Sequence, residues 1–207
     1  MVGTCMTVRA AHAERDWEYW SQGSCSRALN DRVSFVLLPE WRFKGDMQEP
    51  YLFKIETGPS FKINKYMDIT PYYAWQEKKS GADWDRSDLA YFDWSLKWTW
   101  DNFLGLGFAN RLRYQYDFDK AKTTWRNAFK VSRGFTIGKA VVTPYFSEEP
   151  FYDARAKKII EHRTSIGISW APWKNASLSA GYMLNSKKSS AKWAYTNVLV
   201  TSVGIKF

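Results

Sequence analysis

The sequence has few of the residues from which metal sites and disulfide frameworks are built. Its 207 residues include only two cysteines and two histidines, and these form no cluster at metal-ligand spacing. Cys5 lies in a segment that we expect to be removed, so Cys25 has no partner for a disulfide. No glycine-rich phosphate motif is present either. We therefore predict no metal, no cofactor and no enzymatic activity.

Long apolar runs are also missing. No stretch of about 18 apolar residues occurs, which excludes a transmembrane helix. The formal net charge is +9, but the basic residues are scattered and form no patch, so nucleic acid is not an expected partner. Aromatic residues, in contrast, are abundant at 18%, with 12 Trp, 12 Tyr and 13 Phe. A barrel in the bacterial outer membrane needs two girdles of such residues, and we assign Trp20 among others to them.

The C-terminal segment alternates between two kinds of residue and ends in Phe207. Tyr195, Leu199 and Phe207 lie on one face of the predicted strand, because strand side chains alternate with period two. Ser202 and Gly204 lie on the smaller, more polar face. This alternation is typical of a strand with one face in lipid and one in a lumen. The last strand of a soluble sandwich is the alternative.

Amphipathic stretches separated by turn signals predict eleven strands. They span 16–28, 32–43, 51–63, 67–77, 88–100, 105–116, 124–133, 140–149, 159–171, 176–185 and 193–207. Tight connections alternate with longer polar ones at 44–50, 78–87, 117–123, 150–158 and 186–192. This predicts short periplasmic turns and longer extracellular loops. Because bacterial barrels usually have an even number of strands, we expect 10–12, with twelve favoured, and leave open whether the N-terminal stretch lies in the lumen.

The predicted fold is all-β: one antiparallel transmembrane β-barrel over residues 14–207, in the bacterial outer membrane. Residues 1–13 end in Ala11-His12-Ala13, which fits a signal-peptidase site, so we interpret them as the remnant of a signal peptide. The expected partners are outer-membrane lipid, lipopolysaccharide and the barrel-assembly machinery, which would bind Phe207. We expect a monomer, since no surface strip is distinctly unsuited to lipid.

Charged residues fall together on one face of each predicted strand. A charge on the lipid face near the midplane would cost about 2–4 kcal/mol, so this face is assigned to the lumen. Tyr51 is assigned to the opposite, lipid-facing side. The predicted lumen cations are Arg42, Lys54, Lys62, Lys97, Arg111, Arg113, Arg126, Lys130 and Arg163. The predicted acidic partners are Glu40, Glu56, Asp93, Glu149 and Glu161.

Four of these cations predict a basic strip. Arg111 and Arg113 lie on one strand, and Arg126 and Lys130 lie on the next strand. Unpaired, they would draw anions into a narrow porin-like channel, for example acidic sugars. Paired with the carboxylates, the same residues would close the lumen and leave a structural or interaction barrel. Both alternatives stay open at this point.

Several short motifs resemble those of a known family. They are Asp16-Trp17-Glu18-Tyr19-Trp20, Leu29-Asn30-Asp31-Arg32, Glu40-Trp41-Arg42-Phe43 with Asp46, Arg111-Leu112-Arg113-Tyr114, Trp125-Arg126-Asn127, Thr143-Pro144-Tyr145 and Glu149-Pro150-Phe151-Tyr152-Asp153. Together they resemble an uncharacterised bacterial family, domain of unknown function 2490, over nearly the whole chain after residue 13. The resemblance implies an exported outer-membrane barrel and carries no activity. The architecture is also similar to small acidic-sugar porins.

A lipid hydrolase at the membrane rim is a minor alternative. Such an enzyme would need a histidine beside a serine nucleophile. His162 falls on the face of Ile166 and Trp170, whereas Ser165 points to the other face. The sequence therefore argues against this arrangement.

Overall fold

The structure is a computed structural model that describes residues 17–100, 105–138, 140–189 and 192–207. Within these ranges the chain forms strands and short turns, and it contains no helix that is long and apolar enough to cross a membrane. The strands are β1 (Trp17–Ala28), β2 (Val33–Lys44), β3 (Glu49–Lys62), β4 (Met67–Ser80), β5 (Asp83–Trp100), β6 (Leu106–Asp117), β7 (Lys122–Ser132), β8 (Phe135–Ile137), β9 (Ala140–Asp153), β10 (Lys158–Trp173), β11 (Ala176–Ser189) and β12 (Lys192–Lys206). The predicted signal-peptide remnant, residues 1–13, lies outside the described residues.

Eleven strands form a closed barrel wall in which almost every neighbour is antiparallel. The exception is the seam between β1 and β12, which run parallel from Trp17↔Asn197 to Ser26↔Lys206. A ring of alternating strands closes with an odd number only if one pair is parallel. The eleven predicted stretches and the expected range of 10–12 strands are thus confirmed, whereas the favoured number of twelve was wrong. The wholly antiparallel barrel is corrected to a mixed one. The N-terminal stretch is a wall strand.

The short strand β8 does not add a twelfth position to the wall. The ladder between β7 and β9 ends at Ser132↔Tyr145, and β8 pairs with β9 from Phe135↔Val142 onward. Arg133 and Gly134 lie between β7 and β8 and separate them. β7 and β8 therefore occupy the same place beside β9, with a break between them.

The two ends of the barrel differ in how the strands finish. At one end, called here the tight-turn end, the chain terminus is fixed by hydrogen bonds: the Phe207 amide donates to the Ser26 carbonyl at 2.9 Å, and Ala28 donates to the Phe207 carbonyl at 3.2 Å. At the other end, called the hairpin end, strands continue into the polar segments that the sequence predicted as longer loops. β4 and β5 stay paired up to Ser80↔Asp83. A two-stranded ribbon with water on both faces does not need alternating apolar and polar residues. The sequence of such a ribbon therefore resembles that of a loop.

Side-chain orientation is the reverse of that in a soluble protein. Large apolar side chains lie exposed on the outer surface, among them Trp41, Ile166 and Leu199. Charged side chains such as Glu40 and Arg42 are buried inside. The period-two prediction of the two faces is confirmed on these strands, because each residue step reverses the side-chain direction.

Tyr51 is the exception, and a β-bulge explains it. Arg42 pairs with Leu52 but Phe43 pairs with Pro50, so one extra residue of β3 stands opposite β2. Such a bulge changes the direction of a side chain. Tyr51 is turned into the lumen, where its hydroxyl donates to Glu18 Oε2 at 2.6 Å. Its assignment to the lipid face was therefore wrong.

The parallel seam can be tested with the native Cys25, which pairs with Ile205 in the β1–β12 register. In a Cys5→Ser background, we expect Ile205→Cys to form a disulfide with Cys25 on mild oxidation, because neighbouring strands lie about 4.8 Å apart. The linked chain would migrate faster on a denaturing gel. Leu199→Cys, opposite Tyr19, should not crosslink. Equal crosslinking of both variants, or of neither, would contradict the seam.

Candidate functional site

A cavity of about 580 Å³ occupies the lumen toward the tight-turn end. Much of its wall consists of small side chains, including Ser24, Ala109, Ala128, Ser147, Ser165 and Ser202. A second hollow of about 340 Å³ shares Ser24 with it and reaches Trp173 and Lys174, near the turn between β10 and β11. Because both hollows are lined by Ser24, space in the lumen extends from the cavity toward this turn.

The predicted lumen cations converge on this cavity. Eight of the nine line it: Arg42, Lys54, Lys97, Arg111, Arg113, Arg126, Lys130 and Arg163. Lys62 instead lies exposed at the tight-turn end of β3. Three predicted acids, Glu40, Glu56 and Glu149, also line the cavity. Asp93 binds Arg113 and Glu161 binds Arg163, although these two acids do not line the cavity themselves.

A chain of buried ion pairs crosses one side of the lumen and is called here the partition. It runs from Arg42 through Glu40, Lys54, Glu56 and Arg113 to Asp93. Lys54 Nζ lies 3.2 Å from Glu40 Oε2 and 2.6 Å from Glu56 Oε1. Three cations meet three carboxylates, so the partition has no net charge. Charges that are buried so deeply are stable only when paired in this way.

Arg113 is the centre of the partition. Its side chain is 2% exposed, and its Nη1 lies 2.9 Å from Glu56 Oε2. Its Nε and Nη2 donate to the two Asp93 oxygens at 2.6 and 2.8 Å. This two-pronged contact uses the planar shape of the guanidinium, which a lysine could not reproduce. Arg113 is therefore fully committed to structure and is not free to bind a solute.

Aromatic side chains fill the space between the cations. Trp20 is 1% exposed, and the guanidinium of Arg42 lies 3.5 Å from its ring centroid. Phe151 lies between Arg126 and Arg163, each 4.4 Å from its centroid. Cations over ring faces are attracted by the ring quadrupole. The assignment of Trp20 to a membrane girdle was therefore wrong. The sequence signal for a position in the lumen was that Trp20 lies on the same strand face as Glu18 and Gln22.

A second group, called here the arginine cluster, consists of Arg111, Arg126 and Arg163 around Glu149. Arg111 Nη2 and Arg126 Nη2 share Glu149 Oε1 at 2.8 and 3.0 Å, and Arg163 Nη1 lies 3.6 Å from Oε2. Arg163 also binds Glu161 at 2.6 Å. Within the described chain, the Nε atoms of Arg111 and Arg126 are buried without a hydrogen-bond acceptor. Three guanidiniums thus share two carboxylates.

Lys130 lies beside this cluster and has no carboxylate within 4.0 Å among the described residues. Its Nζ lies 4.0 Å from the ring centroid of Tyr145. Tyr145 in turn lies across the backbone of two strands at Gly167 and Gly181. A Cβ at these positions would fall 2.6 and 2.8 Å from the Tyr145 hydroxyl oxygen. The two glycines therefore form a slot that holds the tyrosine beneath Lys130.

Lys97 differs from Lys130 although both line the cavity. Its Nζ lies 2.7 Å from Asp68 Oδ2, so its charge is already balanced. With Asp68 included, eight cavity cations face six carboxylates. Since the partition and the Lys97 pair are neutral, the excess of two positive charges lies entirely with the arginine cluster and Lys130.

His162, the residue considered for a lipid hydrolase, lies on the outer surface of the barrel. His162 Nε2 lies 2.7 Å from Glu148 Oε2, and both side chains are partly exposed on the outside of the wall. Ser165 lines the cavity, so His162 and Ser165 lie on opposite faces. Among the described residues, no group of three or more histidine, cysteine or acidic side chains is placed to hold a metal ion.

A family model described as Protein of unknown function (DUF2490) matches residues 17–196. The chain belongs to the DUF2490 family. In this DUF2490 barrel the match begins with β1 and ends inside β12, so ten of the eleven wall strands fall wholly within it and β12 is covered as far as Thr196. The partition and the arginine cluster lie inside the matched range as well. A search of curated proteins finds no match.

The glycine slot gives a test of how Tyr145 is held. Gly167→Ala should lower the free energy of unfolding by about 1–3 kcal/mol, because the new methyl group overlaps both the Tyr145 hydroxyl at 2.6 Å and the Ala180 carbonyl oxygen at 2.7 Å. Gly107→Ala is the control, since its Cβ would lie 3.3 Å from the rotatable Ser132 hydroxyl and 3.7 Å from the Ser132 carbonyl oxygen, without a close overlap. Denaturant titration of tryptophan fluorescence measures both. In a Tyr145→Ala background the cost of Gly167→Ala should fall, and an unchanged cost would refute the slot.

Proposed function

We propose that this DUF2490 protein is a barrel of the bacterial outer membrane whose lumen is closed by the partition. The observation that supports the membrane placement is the reversed distribution of polarity: charges are buried in the interior, and large apolar side chains cover the outside. Water would not favour such a surface, because exposed apolar area of this extent is rare on soluble monomers. A bilayer would favour it, since lipid contacts the outer face and the lumen stays polar.

The partition supports a closed lumen over an open pore. Arg42, Lys54, Glu56 and Arg113 are each less than 10% exposed, so their side chains fill the part of the lumen that the partition crosses. Opening a water-filled path there would separate buried charges from their partners, at a cost of about 3–5 kcal/mol for each broken pair. The ion pairs therefore favour the structural alternative over a permanently open porin.

A narrow anion-preferring channel is the second candidate. The observation that favours it is the unbalanced charge of the arginine cluster and Lys130. A lumen with excess positive charge attracts anions and repels cations. In this alternative the partition would have to move before a solute passes.

The placement in a membrane can be tested by introducing a charge on each face of β10. Ile166 is exposed on the outer face, whereas Ser169 points to the lumen. In lipid vesicles, Ile166→Arg should lower the free energy of unfolding by about 2–4 kcal/mol, because the guanidinium would face hydrocarbon. Ser169→Arg on the same strand should have a much smaller effect. Equal costs for the two variants would argue against a lipid-covered outer face.

Closure can be tested by single-channel recording in planar bilayers. The wild-type barrel should insert without discrete current steps. The double variant Glu56→Ala/Arg113→Ala removes one negative and one positive charge from the middle of the partition, so the net charge stays the same. We expect steps with anion preference, because the unbalanced arginines remain. Steps from the wild type would favour the channel, and a folded but silent double variant would show that something other than the partition closes the lumen.

A further inference from the structure

We propose that Arg111, Arg126 and Lys130 form a binding seat for one small organic oxyanion, a carboxylate or phosphate ester that also carries hydroxyl groups. The seat opens into the cavity. It goes beyond the closed-barrel function, since it requires no passage of solute through the partition.

The charge balance locates the seat. Lys54 and Arg113 are satisfied within the neutral partition, and Lys97 is satisfied by Asp68. Arg111 and Arg126 must share a single oxygen of Glu149, and Lys130 has only the ring of Tyr145 among the described residues. Partly enclosed cations without enough counter-charge carry a desolvation penalty, which a bound anion relieves.

Solvent exposure distinguishes Arg111 from the other arginines of the lumen. The side chain of Arg111 is 35% exposed, whereas those of Arg42, Arg126 and Arg163 are 10% exposed. Arg111 thus faces the open cavity, and Arg126 supports it from the partition side. The ladder between β6 and β7 pairs Ala109 with Lys130 and Arg111 with Ala128. Each cation is therefore opposed by an alanine, which leaves room for a ligand between the two charged groups.

The surrounding wall indicates the rest of the ligand. Ser147 is the ladder partner of Lys130 on the next strand, and Ser165 is the partner of Ser147 beyond it. Both serines line the cavity. Their hydroxyls can donate to and accept from hydroxyl groups of a ligand, while guanidinium and ammonium groups bind the oxyanion. A cavity of about 580 Å³ falls within the range of small-molecule sites, roughly 300–1,000 Å³.

The slot of Gly167 and Gly181 fixes the geometry of this site. It holds Tyr145 against two strands, and the ring of Tyr145 limits where the Lys130 ammonium can lie. A flexible lysine would otherwise lose side-chain entropy on binding an anion. Tyr145 is therefore a positioning residue for the seat.

Binding can be measured by isothermal titration calorimetry on the full chain folded in detergent micelles. The probes are D-glucuronate, D-glucose as its uncharged analogue, and inorganic phosphate. We expect glucuronate to bind, phosphate to compete with it, and glucose not to bind. Lys130→Gln and Arg111→Gln should each weaken glucuronate binding by about tenfold or more, the usual loss of a charge-assisted hydrogen bond. Lys130→Arg should retain most of the affinity.

Lys97→Gln is the matched control, because it removes the same charge from the same cavity where a carboxylate already balances it. It should change the affinity by less than about twofold if a defined contact, and not a diffuse field, binds the anion. Heat-modifiable gel migration verifies that every variant is folded. Equal losses for Lys97→Gln and Lys130→Gln, or no binding of either anion to the folded wild type, would overturn the seat. These outcomes are independent of whether the barrel conducts.

Discussion

Charge pairing inside a narrow closed wall is the constraint on which the rest of the structure depends. A side chain that points into a lumen bounded by eleven strands has little access to bulk water, so a charge there needs a counter-charge or a ring face. The partition satisfies this requirement with alternating acids and bases from β2, β3, β5 and β6. Trp20 and Phe151 fill the space beside the cations. The barrel is therefore filled near its middle by polar contacts, where a soluble domain would have an apolar core.

Closure of the wall and closure of the lumen support each other. The parallel seam brings β1 beside β12, and Trp20 of β1 is buried with Met183 and Val198 of β11 and β12. The same tryptophan contacts Arg42 and Arg163 from strands on either side. Loss of the seam would therefore open the wall and also remove the aromatic support of the partition.

Period-two alternation was enough to predict most of the charged residues that face the lumen, but not how they combine. The sequence placed Arg111, Arg113, Arg126 and Lys130 together as one basic strip. In the structure Arg113 is enclosed by Glu56 and Asp93, while Arg111 and Arg126 share Glu149. These pairings depend on ladder register and on contacts across the lumen, and neither can be derived from spacing along the chain. The same holds for Asp68, which no pattern linked to Lys97.

Local irregularities account for the other differences. The bulge that turns Tyr51 inward shifts the alternation by one residue, and a pattern read at constant period misplaces every such residue. The hairpin extensions of β4 and β5 are polar on both faces, so periodicity could not separate them from loops. In both cases backbone hydrogen bonding, which is independent of side-chain polarity, decided the structure.

The outer surface follows the same pairing rule as the lumen, which makes the exceptions informative. Asn110 donates to Asn127 at 2.8 Å, and His162 contacts Glu148 at 2.7 Å. Polar groups on the wall of the barrel thus lie beside one another. Five buried side-chain polar atoms of the described chain lack a hydrogen-bond partner: one is Glu148 Oε2, on the outer face beside His162, and the other four belong to Arg111, Arg126 and Asn185. Asn185 is the ladder partner of Arg163. Most of the unsatisfied atoms therefore lie on and beside the arginine cluster, the wall that also carries the excess positive charge. A scaffold under selection for stability alone would lose such groups to smaller or apolar residues, and their presence together on one wall is what a site for an anionic ligand requires.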